Sequence, residues 1–85
     1  MKDVLIKKIS YKARYRGIKE ADKIIGGFVS TIVPALNMQE LEDVLVMLDM
    51  SDHDILSMMT GTKDLDENHK DILVKMKKYT ENQHG

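Results

Sequence analysis

Apolar residues recur at helical spacing along almost the whole chain, and no stretch alternates as a half-buried strand would. A first helix is predicted over Asp3 to Tyr15, with Val4, Leu5 and Ile9 set among Lys and Arg. Gly17 is expected to end it by entering the left-handed region, where glycine carries no Cβ penalty. A second helix over Ile18 to Val33 turns Ala21, Ile24, Ile25, Phe28, Val29 and Ile32 inward. Pro34, the only proline, stops it.

The third helix has the clearest start. Asn37 is a good N-cap and Glu40 stands at N3, a capping-box pair. Leu36 and Leu41 occupy the staple positions, and Leu41, Val44, Leu45 and Leu48 follow at helical spacing. The fourth helix repeats the logic, with Ser51 as cap, Asp54 at N3, Met50 and Ile55 as staple, and Gly61 as stop. A fifth helix is predicted to start near Asp64 or Asp66 and to bury Ile72, Met76 and Tyr79. The pattern specifies an all-α fold, a compact five-helix bundle with short loops. It forms one domain over residues 1–85, with a flexible tail expected from about residue 80. Gly26 and Gly27 lie inside the second helix, where each costs about 1 kcal/mol relative to alanine. Close helix packing or a kink is the expected reason.

At 85 residues the chain buries a modest core, so a partner surface can matter to it. Its 42% hydrophobic and 32% charged residues are those of a globular domain rather than a disordered one. With no cysteine, disulfides, thiol nucleophiles and cysteine-ligated metals are excluded. Net charge is only −1, but residues 1–23 carry eight bases against three acids and residues 24–85 five against eleven. Six acids and no Lys or Arg fall between Asn37 and Asp54. A basic head and an acidic middle suit oriented docking on a charged partner. The alternative is that these charges simply coat solvated helix faces.

No apolar run approaches the ~18–20 residues of a membrane span. The start, MKDVLIKKIS, reads as neither a signal nor a transit peptide. A bacterial cytoplasm is therefore expected, or a mitochondrial matrix for a trimmed chain.

Enzyme chemistry is missing from the pattern. There is no phosphate-cradling glycine loop, and GIKEADKIIGG has the wrong glycine spacing for a dinucleotide site. His53, His69 and His84 lack metal-ligand spacing. Met47, Met50, Met58 and Met59 cluster around the third and fourth helices, where core filling is expected over an adaptable binding surface. The stretch RYRGIKEAD, residues 14–22, is the one polar concentration at a helix corner. Read structurally, Gly17 is a cap and Arg16 pairs with Glu20 in the first turn of the second helix. Read functionally, Arg16, Lys19, Glu20 and Asp22 form a docking point, and Gly17 lets a partner backbone approach closely.

Arg16-Gly17-Ile18-Lys19-Glu20-Ala21-Asp22 resembles the RGxxExD signature of the SdhE family, the flavinylation factors of succinate dehydrogenase. Leu48-Asp49, Asp52, Asp54-Ile55 and Gly61 resemble the later block of that family, and the likeness covers roughly residues 7–61. Tyr15 stands where many members carry a second basic residue, His53 where many carry proline, and Met58 where many carry tryptophan. The resemblance implies a five-helix assembly chaperone, not itself an enzyme. It implies docking on the flavoprotein subunit of succinate dehydrogenase and promotion of covalent FAD attachment there; whether a fumarate reductase is also served is left open by the sequence. The FAD would be carried by the partner and not held permanently by this chain. Arg16, Gly17, Glu20 and Asp22 would make the contact, with Lys19 and Arg14 beside them. No nucleic acid and no membrane insertion are implied.

Two rivals come from other classes. A nucleic-acid module would use Lys7, Lys8, Lys12 and Arg14 on the first helix, against which the acidic middle argues. A general adaptor would bind another helix through a Met-rich surface and would be indifferent to changes at Arg16 and Gly17.

Overall fold

Five α-helices account for most of the chain in the computed structural model, which describes residues 1–14 and 16–83. They are α1 (Lys2–Lys12), α2 (Lys19–Thr31), α3 (Met38–Met47), α4 (Asp52–Thr60) and α5 (Lys70–Gln83). Among the described residues there is no strand, so the expected all-α bundle of five helices is the fold. α1 packs chiefly on α3, while α2 packs on both α4 and α5.

The local stop and start signals act as their chemistry requires. The Asn37 side chain accepts from the Glu40 N–H while Glu40 accepts from the Asn37 N–H, at 2.8 and 3.0 Å. Ser51 Oγ accepts from the Asp54 N–H. Gly61 closes α4 at φ 86°, a left-handed position that glycine occupies without strain. Pro34 lies in a 3-10 turn, Val33–Ala35, directly after α2. Asp66 caps a second 3-10 turn, Glu67–His69, which runs straight into α5.

The core is built where the apolar stripes converge. Ile9, Ile25, Phe28, Leu41, Ile55 and Met76 are all fully buried. Met47, Met58 and Met59 are buried too, and Met50 is half-buried, so the methionine cluster fills the core. Ile72 and Met76 bury as expected, while Tyr79 is half-buried and packs edge-on against Phe28, ring centroids 6.2 Å apart. Along α1, Leu5, Ile6 and Ile9 face the core and Ala13, its C-cap, continues the buried side, while Val4 stays 48% exposed.

Tyr79 also explains one of the paired glycines. A Cβ on Gly27 would collide with its hydroxyl and ring, whereas a Cβ on Gly26 would meet nothing. Close packing is thus the reason for Gly27 alone. Gly27→Ala should cost about 1–3 kcal/mol by forcing the tyrosine off its seat. Gly26→Ala should instead stabilise by about 0.5–1 kcal/mol through helix propensity. Urea unfolding midpoints of the two variants check both signs.

Candidate partner-binding site

α1 stops at Lys12 rather than continuing to Tyr15, which lies outside the described residues. Gly17 is not its left-handed cap. Among the described residues the only glycine at positive φ is Gly61. The carbonyl at the end of α1 is satisfied instead by a side chain. Arg16 Nη1 donates to Lys12 O at 3.1 Å and to Leu48 O, at the end of α3, at 3.0 Å. Nη2 donates to Met50 O at 3.2 Å, and Nε donates to Asp52 Oδ1 at 2.6 Å. One guanidinium therefore serves the C-terminal ends of two helices, where the backbone dipoles favour a cation.

Asp52 completes the arrangement with the opposite sign. It opens α4, and its Oδ2 accepts from the N–H groups of Gly17 and Ile18 at 2.6 and 3.3 Å. Ile18 is the extended N-cap residue of α2, so this carboxylate sits at the starts of both α2 and α4. Four helix ends meet on one ion pair whose side chains are only 10% and 14% exposed. Lys12 ties the same corner from outside, donating to Leu45 O and to Asp49 Oδ1 at 3.1 and 2.6 Å.

The expected Arg16–Glu20 pair is absent, because Asp52 holds the guanidinium. The polar residues after Gly17 do not crowd into one cluster either. Positions two apart on a helix lie about 200° apart around its axis. Accordingly Glu20 borders a cleft of ≈ 280 Å³ between α2 and α5, beside Lys23, Ile24 and Tyr79. Asp22 faces the groove between α1 and α2, which Arg14 also lines. Gly17, Lys19, Glu20, Asp22 and Arg14 are all exposed. A Cβ on Gly17 would lie 3.6 Å from Asp52 Oδ2, an ordinary contact. Nothing internal to the fold demands glycine there.

Burial raises the Asp52 carboxyl, but the Arg16 hydrogen bond, the Gly17 N–H, the Arg16 charge and the Ile18 N–H outweigh it. Together they hold its pKa below the ordinary 3.8. The hydrogen bond from Lys63 likewise lowers Asp54. Below about pH 4 the unfolded chain therefore takes up protons before the folded one does. Stability from Asp52 is in full force above the unfolded value and is lost as pH falls through the lower folded value. Unfolding midpoints taken from neutral pH down to about pH 3 should drop steeply in the wild type. In Asp52→Asn they should start lower and drop less.

His69 Nδ1 and Asp43 Oδ1 lie 2.5 Å apart and pin the turn before α5 onto α3. The two are 26 residues apart, beyond the reach of spacing arguments. His53 is exposed in the first turn of α4, and His84 lies outside the described residues. No group of three or more His, Asp or Glu converges among the described residues. No helix among them is long and apolar enough to cross a membrane.

Compared with known protein families, residues 7–80 match the model described as "Flavinator of succinate dehydrogenase". The chain belongs to this flavinator family. The match contains the whole corner, Arg16 to Asp22, and also Asp52, the residue that locks it. Among curated relatives, the chain is 30% identical over 84 residues to a mitochondrial succinate dehydrogenase assembly factor 2 of Schizosaccharomyces japonicus, covering 96% of this chain and 59% of that one. It is 31% identical over 61 residues to the FAD assembly factor SdhE of Acetobacter pasteurianus, covering 72% and 56% respectively. The chain thus spans somewhat more than half the length of these relatives. No solved structure matches significantly. Met58 is wholly buried and His53 is exposed.

Proposed function

We propose that this chain is an assembly factor that docks on the flavoprotein subunit of succinate dehydrogenase and promotes covalent attachment of FAD to it. The observation that carries this reading is the locked corner within a flavinator match. Arg16 and Asp52 spend their hydrogen bonds on four helix ends, which fixes the backbone of Gly17 and Ile18. A glycine that the fold does not require then stands exposed on a rigid edge. A glycine of that kind suits close approach by another backbone.

In this reading the residues divide their work. Gly17 is where the partner backbone comes closest. Lys19, Glu20, Asp22 and Arg14 supply charges on the two faces of α2. Arg16 positions the edge, with one Nη2 proton left to offer the partner. The flavoprotein holds FAD, and the bond forms between its flavin and a histidine of that subunit. This chain contributes no group to that bond. It holds the partner in the arrangement that aligns the two and limits water. Alignment alone can lower a barrier substantially.

Mixing the purified chain with the flavoprotein subunit and passing the mixture over a sizing column tests the docking step. Co-elution that Gly17→Arg abolishes and Gly17→Ala preserves supports it. Separate elution of wild-type chain and subunit contradicts it.

A further inference from the structure

We propose that the outward face of α1 binds an anionic lipid surface, so that the chain rests on a membrane without crossing it. This contact goes beyond the flavoprotein-docking role and uses none of the residues assigned to it.

Helical spacing builds the face. At roughly 100° per residue, Val4 and Tyr11 fall within about 20° of each other around the α1 axis. They lie on the side turned away from the buried Ile9. Val4 is half exposed and Tyr11 is 77% exposed, so they form an apolar ridge in solvent. Lys7 and Lys8, both exposed, fall about 50° to either side of that ridge. Asp3, the only acid of α1, lies about 90° off it. Lys7 and Lys8 make no ion pair among the described residues. With Tyr11, Lys12 and Leu45 they line a cleft whose surface is almost wholly apolar. The lysine stems therefore extend the apolar ridge, while their ammonium groups stand clear of it.

An apolar ridge with a free cation on each side complements a bilayer surface that carries anionic headgroups. The tyrosine has an apolar body and a polar tip, which suits it to the headgroup level. The lysines reach the lipid phosphates from either flank. Charge along the chain agrees with this occupant. Residues 1–23 carry eight bases against three acids and residues 24–85 five against eleven, so an anionic surface draws the chain in by its α1 end. A nucleic acid fits less well, because it is held by cations and polar side chains and the middle of this face is valine and tyrosine. A bilayer needs no shaped counterpart, so one narrow ridge suffices. With two free lysines and two apolar side chains the contact is weak, reversible and salt-dependent.

Co-sedimentation of the full chain with vesicles tests this. The chain should pellet with vesicles of equal parts phosphatidylserine and phosphatidylcholine, and stay in solution with phosphatidylcholine alone. Added salt should release it. Lys7→Gln combined with Lys8→Gln should weaken binding roughly 25-fold, about fivefold for each charge removed. Tyr11→Ser should weaken it roughly tenfold. Val46→Ser, which removes an exposed apolar side chain of α3, should leave it unchanged. Helical circular dichroism checks the fold of each variant. No binding to the mixed vesicles in dilute salt would overturn the proposal. So would equal binding to both kinds of vesicle, or binding indifferent to the lysine or the tyrosine changes. If vesicles are not bound while the lysine pair is needed to bind the flavoprotein subunit or duplex DNA, the proposal is overturned in favour of that occupant.

Discussion

Replacing Arg16 with alanine is expected to lower folding stability by about 2–4 kcal/mol, and replacing Asp52 by a similar amount. Each change strands the other member of a nearly buried ion pair. Without Arg16, the carbonyls of Lys12, Leu48 and Met50 lose their donor and the Asp52 carboxylate loses its counter-charge. Without Asp52, the N–H groups of Gly17 and Ile18 lose their acceptor and a guanidinium remains among carbonyls. A domain of this size has only about 4–13 kcal/mol in all, so the loss is a large share of it. The melting temperature should fall by roughly 10–25 °C in either single variant. Arg16→Lys should rescue little, since an ammonium cannot reach four acceptors spread over a planar fork. The double variant Arg16→Ala with Asp52→Ala should lose less than the sum of the singles, because neither charge is then left unpaired. A loss below about 0.5 kcal/mol in both single variants would mean that the corner is held by packing alone.

The second large effect separates folding from docking. Gly17→Ala should leave stability within about 0.5 kcal/mol of wild type, because the added Cβ meets Asp52 at an ordinary distance. Gly17→Arg should also fold, since the position is exposed, yet weaken binding to the flavoprotein subunit by roughly a hundredfold or more, a cost of about 3 kcal/mol. Titration calorimetry with the purified subunit measures the affinity, and thermal unfolding provides the control. Glu20 can be read in the same assay. If it only contacts the partner, Glu20→Gln should keep most of the affinity and of the flavin attachment. Loss of attachment with binding intact would assign it a proton-handling role.

The fold was legible wherever its causes are local. Capping by Asn37 and Glu40, the Ser51 cap, the Gly61 stop and the Pro34 break all act within about four residues, so spacing alone reveals them. The corner was legible only as a concentration of polar residues. Its organising partner, Asp52, lies 36 residues from Arg16, and no periodicity links the two. That distance explains both errors at this site. A glycine after a helix reads as a left-handed cap, and an acid four positions from an arginine reads as its ion pair. Both local readings yield to an arginine that finds several helix ends at once. Gly27 follows the same rule, since its reason is Tyr79 from α5.

Covalent flavin on the flavoprotein subunit tests the central claim most directly. Cells lacking this chain would receive the wild type, Gly17→Arg or Glu20→Ala. The subunit's in-gel flavin fluorescence would then be compared after denaturation, with expression of each variant checked. The account predicts a flavinylated subunit with the wild type and little or no bound flavin with either variant at normal levels. Equal covalent flavin in every strain, the deletion included, would contradict it and leave the exposed glycine at the corner without a partner to explain it.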